Sequence, residues 1–196
     1  MTSSKRNIVV VVCGLVALVI WFGWTRILDT APNRRRVSSE VRSLVQQANL
    51  NPQTNEIAIE LLRRARSKYS FEATAATVGL GEIGDSAIPV IDELATLMDS
   101  SNPYVRREAA NSLSKLGKRS TPVLEKLVRQ VSKQPSDDES WFAADAIGEI
   151  GKPAIEYIPL LKSRIGTGAV QFDDSLRTAI AILEELRDAE ESQRRK

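Results

Sequence analysis

Gly-Glu-Ile-Gly occurs twice in this chain, at Gly81 to Gly84 and at Gly148 to Gly151, and a related Ser-Lys-Leu-Gly runs from Ser114 to Gly117 between them. The closing glycines stand at 84, 117 and 151, so the spacings are 33 and 34 residues. A fixed period of this size marks a stack of small supersecondary units, none able to bury its apolar face alone. The period points to a solenoid.

The residues around each glycine say what the unit is. Counting back gives Ala76, Thr77, Leu80 and Ile83, then Ala109, Ala110, Leu113 and Leu116, then Ala143, Ala144, Ile147 and Ile150. In each set the offsets are −8, −7, −4 and −1, one face of an α-helix. The small residues at the start of the stripe let helix backbones approach closely. Glycine then suits the helix C-terminus, because it tolerates the left-handed conformation of that cap. Gly84, Gly117 and Gly151 are therefore repeat-defining structural residues rather than a phosphate-binding motif.

Counting forward gives Ile88, Ile91 and Leu94, then Thr121, Leu124 and Leu127, then Ile155, Ile158 and Leu161, at +4, +7 and +10. These predict the buried stripe of a second helix. Pro89 and Pro122 stand at +5, early in that helix, where a missing N–H costs little. In the third unit Pro153 moves to +2 and Pro159 appears at +8, deep enough to predict a bent or loosened helix. A fourth first-type helix carries Ala179, Ile180, Leu183 and Leu186, with Arg187 at the glycine position, and the charged residues after it read as a C-terminal cap. Upstream, Val37, Val41, Leu44, Val45 and Ala48 recur at helical spacing. Asn51-Pro52 ends that helix, and Thr54 or Asn55 can cap the next, whose apolar face is Ile57, Ala58, Leu61, Leu62 and Ala65. This pair lacks the glycine signature, as expected of an atypical end unit.

Before the repeats, Ile8 to Trp24 is a run of 17 residues without a charge. As a helix it spans roughly 25 Å, the short end for a bilayer core of about 30 Å. Thr25 to Leu28 extend it, with Arg26 snorkelling to the interface and Trp21 and Trp24 where an aromatic belt belongs. No small-x-small site follows, which disfavours a cleaved signal peptide, and Val10 to Val12 before Cys13 do not suit lipoprotein processing. An uncleaved single-pass anchor over residues 8–28 is the expectation. Positive-inside counting of Arg26, Arg34, Arg35, Arg36 and Arg42 against Lys5 and Arg6 favours a cytoplasmic domain, whereas a short basic tail before an anchor favours the opposite side. The sequence leaves the side open. On a cytoplasmic domain Arg34 to Arg36 could touch anionic headgroups, although a solvated stop-transfer cluster is the plainer role.

From Arg26 onward there are 25 basic and 25 acidic residues, a net charge of zero. A neutral domain lacks the basic face that a general nucleic-acid binder needs. The chain has no histidine and one cysteine, Cys13, inside the apolar run. That removes histidine-based acid–base catalysis, Ser-His-Asp triads, Cys/His zinc sites and intrachain disulfides. No cofactor, metal or nucleic acid is expected.

The stretch Asn102-Pro103-Tyr104-Val105-Arg106-Arg107-Glu108-Ala109-Ala110, running on to Leu113, Leu116 and Gly117, resembles the HEAT repeat, and most closely the short variety of phycobilisome-lyase-type HEAT-like proteins. Val105-Arg106, Ala109-Ala110 and Leu116-Gly117 match the family's first helix. Ala143, Ala144, Ile150 and Gly151 match again, with Trp141-Phe142 in place of Val-Arg, a pair the unit from Phe71 to Gly84 also lacks. The resemblance covers about residues 70–187, or reaches back to 37 if the atypical pair is counted. Ankyrin repeats would want Thr-Pro-Leu-His, of which only Thr121-Pro122 occurs, and the Trp and Tyr pattern of tetratricopeptide repeats is missing. The expected fold is thus all-α: a right-handed α-solenoid of antiparallel helix pairs preceded by one transmembrane helix. The expected organisation is a tail and anchor over 1–28, a basic linker over 29–36, the atypical pair over 37–69, HEAT-like repeats over 70–190 and a charged tail over 191–196.

Such repeats are generic binding surfaces, so function is expected to be a membrane-tethered scaffold for a protein partner, without catalysis. The resemblance puts the second helices on the concave side, and their solvent positions there are Asp92, Glu93, Glu125, Lys126, Arg129, Lys133 and Lys162. These form the candidate partner-binding set, weighed against an ordinary solvated face. Trp141 reads as a core or capping aromatic more than a contact residue. Asp137, Asp138 and Glu139 lack the alternate spacing and glycine of a calcium loop and fit a helix N-terminus. Two alternatives stand beside the scaffold: a lyase-type enzyme or enzyme subunit acting on a tetrapyrrole, by analogy alone, and a self-assembling structural protein.

Overall fold

A computed structural model describes residues 31–51, 55–133 and 138–195. The proposed anchor over 8–28, the N-terminal tail, Thr54 and Asp137 lie outside the described residues. Among the described residues every regular element is helical: α1 (Ala31–Leu50), α2 (Glu56–Ala65), α3 (Ser70–Glu82), α4 (Ile91–Thr96), α5 (Pro103–Leu116), α6 (Leu124–Ser132), α7 (Asp138–Ile150), α8 (Ile158–Arg164) and α9 (Val170–Arg194). No helix among them is long and apolar enough to cross a membrane.

The helices sort into two rows. α1, α3, α5, α7 and α9 pack each against the next, and α2, α4, α6 and α8 fill the second row. The twelve stripe positions counted back from the three glycines are all buried, from Ala76 to Ile150. Leu80, Leu113 and Ile147 have no exposed surface at all. Burying each such side chain contributes roughly 2 kcal/mol. One core thus runs through the stack from Val41 to Leu183.

The second half of each unit differs from the expectation. Gly84–Val90, Gly117–Val123 and Lys152–Tyr157 are 3-10 helices, and the α-helix begins only at Ile91, Leu124 and Ile158. A 3-10 turn has three residues per turn, so residues three apart share a face. The buried positions after each glycine are accordingly +3 (Ala87, Ser120, Ala154) and, in the first two units, +6 (Val90, Val123). Ile88 and Thr121, expected in the core at +4, are exposed, and Ile155 is half-buried. Pro89 and Pro122 sit inside the 3-10 turns. Pro159 bends nothing: α8 starts at Ile158, so the proline falls in its first turn, where no intrahelical donor is lost.

The ends are also more helical than expected. The helix α1 begins at Ala31, inside the stretch read as a linker, with Pro32 tolerated in its first turn. The helix α9 runs to Arg194, through most of the expected tail, and its core stripe starts earlier, at Phe172 and Leu176, leaving Leu186 half-buried. Asn55 occupies the position before α2 without a side-chain cap bond. The outward side of α1 is exposed and polar (Arg35, Ser39, Arg42, Gln46), as is that of α9 (Asp174, Arg177, Thr178, Glu185), so both terminal helices are capping elements.

The two glycines of Gly-Glu-Ile-Gly serve different ends. The closing one has φ of +55° at Gly84, +53° at Gly117 and +78° at Gly151. With ψ of −124° and −131°, Gly117 and Gly151 lie outside the left-handed helical well and near the first central residue of a type II′ turn, a region other residues avoid. The opening glycine is a contact point. A Cβ on Gly81 would fall 2.8 Å from the Ser112 Cα, and one on Gly148 would fall 3.0 Å from the Ala179 Cα.

Candidate partner-binding face

The second-row helices carry the charged set singled out from the sequence. Their spacing in the chain matches the repeat, so like positions on successive helices come face to face. Lys126 Nζ on α6 is 3.0 Å from Asp92 Oδ1 on α4 and donates a further bond of 3.2 Å to the Asp92 carbonyl. Two turns along, Lys133 Nζ is 3.4 Å from Asp99 Oδ1. The Tyr157 hydroxyl donates to the Glu125 carboxylate, which pushes the phenol up to about 12. Lys162 on α8 pairs with Glu184 of α9 at 2.7 Å. Beneath these, Arg119 pairs with Asp85 across the 3-10 turns and holds its carboxyl below the usual range.

Five of the seven candidate residues (Asp92, Glu125, Lys126, Lys133, Lys162) are thus engaged between neighbouring repeats. Glu93 and Arg129 are exposed and have no side-chain ion pair among the described residues. The structure brings Asp92, Lys126, Arg129 and Lys133 to one crease between α4 and α6, a cleft of about 260 Å³ lined by Ala95, Thr96, Met98, Asp99, Lys126, Arg129, Gln130 and Lys133. Lys162 stands one repeat further on. Exposed pairs of this kind are individually weak, so they orient the repeats more than they stabilise them.

Arg164 is the residue that sequence reasoning missed. It ends α8 yet is only 5% exposed. Its Nε donates 3.0 Å to the Val131 carbonyl and its Nη2 donates 2.8 Å to the Lys133 carbonyl, so it satisfies the end of α6. The guanidinium also lies 6.0 Å from the Phe172 ring. Trp141 is half-buried in edge contact with Phe142, ring centroids 5.0 Å apart, and packs on the core, in keeping with a structural role. Among the described residues its buried indole nitrogen has no hydrogen-bond partner.

At the other end of the stack, Arg64 of α2 binds Glu40 of α1 at 2.8 Å and Glu60 at 2.7 Å. Hydrogen bonds from Arg63 and then Arg64 hold the Glu60 carboxyl down at about 2. Asp145, half-buried on α7, moves the other way: burial raises its carboxyl above the usual range, opposed by a hydrogen bond with Ser175 of α9.

The two-row stack, its buried small-residue stripe and its glycine-ended first helices are the geometry of a helical repeat. Residues 55–135 match the family model for HEAT repeats. No curated protein matches the chain. The match takes in α2, the second helix of the pair that lacks the glycine signature. α2 lies against the 3-10 turn Gly84–Val90 as α4 lies against Gly117–Val123. HEAT repeats suggest a helical scaffold or protein-interaction role. Among the described residues no group of three or more His, Cys, Asp or Glu side chains is placed to hold a metal.

Proposed function

We propose that this chain is a membrane-tethered HEAT-repeat scaffold that binds a protein partner through its second-row helices and performs no chemistry of its own. The observation that carries the reading is the row α4, α6 and α8. It is exposed, charged and pre-ordered by pairs between repeats, with a cleft left open along it. The repeats resemble the short phycobilisome-lyase-type variety through Val105-Arg106, Ala109-Ala110 and Leu116-Gly117.

The tether rests on the uncharged run from Ile8 to Trp24 with tryptophans at its end. The absence of histidine supports a scaffold over an enzyme, since the common general acid–base and nucleophile-activating group is missing. The polar outward sides of α1 and α9 argue against growth by end-to-end stacking, which would need an apolar terminal face.

Crosslinking of the full-length protein in its native membrane, followed by mass spectrometry, tests the scaffold. Reproducible crosslinks from the α4–α6–α8 row to one protein are expected; none above a quenched control would sink the reading. Alkaline carbonate extraction tests the tether, which fails if the chain is released. A C-terminal reporter fusion assigns the side. A chromophore that co-purifies with the chain would favour the tetrapyrrole-acting alternative instead.

A further inference from the structure

The ion pairs between α4 and α6 form a ladder with one rung incomplete. Asp92 faces Lys126 and Asp99 faces Lys133, both at an offset of 34 residues. The three positions 92, 95 and 99 share one face of the first helix and its 3-10 extension, and 126, 129 and 133 share one face of the second. At the middle rung the same offset sets Ala95 against Arg129, and both line the cleft. Alanine offers no carboxylate. Its neighbour Thr96 is committed elsewhere, donating its hydroxyl to the Glu93 carbonyl at 2.6 Å. Arg129 therefore stands exposed between two lysines, each already held by its own aspartate.

We infer that this gap is the recognition point of the scaffold, and that it takes a carboxylate side chain from an acidic segment of the protein partner. The inference rests on the scaffold reading and names the chemistry of its partner. A guanidinium suits the role because its planar fork binds a carboxylate through two parallel hydrogen bonds. The Lys126–Asp92 and Lys133–Asp99 pairs on either side are neutral overall, so the uncompensated positive charge of the ladder is that of Arg129. The cleft of about 260 Å³ leaves room for a side chain of glutamate size between the rungs. A partner carboxylate would complete the ladder at the rung where the described residues supply none.

The test is a fluorescence-anisotropy titration of the full-length chain with a fluorescein-labelled ten-residue glutamate peptide and with its glutamine counterpart, at low salt. The glutamate peptide is expected to bind about tenfold tighter, the size of one charge-assisted contact. Arg129→Gln is expected to remove that preference. Thr96→Glu, which supplies the missing carboxylate from within, is expected to remove it too. Arg35→Gln removes the same charge from the outward side of α1 and is expected to change nothing. Both cleft substitutions are at exposed positions, and circular dichroism confirms the fold. Binding by Arg129→Gln equal to that of the parent chain, or an equal loss in Arg35→Gln, overturns the proposal. The scaffold reading fails separately, in the crosslinking experiment; the titration reads the cleft whatever that experiment gives.

Discussion

The hydroxyl of Ser112 donates a buried hydrogen bond of 2.9 Å to the carbonyl of Thr77, and the Ser112 Cα lies 2.8 Å from where a Cβ on Gly81 would stand. One residue of α5 thus both reaches into and leans on α3, at the point where the two backbones come closest.

Gly81→Ala is expected to destabilise the protein by about 1–3 kcal/mol, because the added methyl meets backbone rather than a movable side-chain end. Ser112→Ala removes a buried donor and is expected to cost about 1 kcal/mol. The double substitution should recover little, since the obstructing Cα remains. Urea melts of the four proteins, taken as a double-mutant cycle, check this; full rescue by Ser112→Ala would show that the hydroxyl, not the backbone, sets the approach.

Gly117→Ala isolates the conformational demand of the closing glycine. The nearest atom to a Cβ there is the Glu149 carbonyl oxygen at 3.7 Å, an ordinary contact, so the expected loss of about 1–3 kcal/mol comes from the backbone region alone. Thermal unfolding should show a similar loss for Gly84→Ala, where nothing lies within 4 Å. A neutral outcome at both positions would mean that the turns relax to negative φ.

Arg164→Met keeps much of the volume and removes both donors to the end of α6. The Val131 and Lys133 carbonyls lose their bonds, and a loss of about 2–3 kcal/mol is expected. Arg164→Lys retains the charge but not the fork and should fall between the two. Hydrogen exchange at the α6 C-terminus reports whether the loss is local.

The network of Glu40, Glu60 and Arg64 predicts a pH dependence. The Glu60 carboxyl is depressed in the fold to about 2 from an ordinary 4.5, so its contribution is present above the ordinary value and lost as pH falls between the two. Glu60→Gln is expected to cost about 1 kcal/mol at neutral pH, a modest figure because the group is partly exposed. The difference from the parent chain should vanish near pH 2 in acid titrations followed by circular dichroism.

Asp145 carries the opposite sign. Its folded carboxyl is raised by burial, so the stability it lends is present below the ordinary carboxylate value and lost as pH rises through the folded value. Asp145→Asn, which keeps a polar partner for Ser175, is expected to raise the melting temperature at pH 7 and to have little effect at pH 3. A lowered melting temperature at pH 7 would show that the charged form is the one the fold wants.

The helices α3, α5 and α7 were legible in the sequence because one helical period and one closing glycine mark each of them. The stripe at −8, −7, −4 and −1 is apolar or small in all three units, and nothing else fits that spacing. The 3-10 turns were not legible. Ile88, Ile91 and Leu94 are spaced by three, which suits a helix face of either kind, while the buried +3 residues Ala87, Ser120 and Ala154 carry almost no hydrophobic signal. Arg164 was missed because a charged residue at a helix end reads as solvated, and only the folded stack brings the α6 carbonyls to it. The ladder had a readable trace that composition hides: Asp92 and Lys126, and Asp99 and Lys133, are opposite charges one repeat apart. What no linear pattern gives is which of those charges remains free, since that depends on Ala95 being the neighbour of Arg129.

The polar flanks of α1 and α9 set how such a chain can change size. A unit added beyond either flank would meet Arg35, Arg42 or Glu185 where it needs an apolar wall. A unit duplicated between Gly84 and Gly117 would find its own kind on both sides. Lengthening is therefore tolerated only from the middle, and each insertion moves Arg129 away from the N-terminal end by one helix-pair width. Reach from the chain's start to the recognition point is adjustable in whole steps, with the site itself left intact.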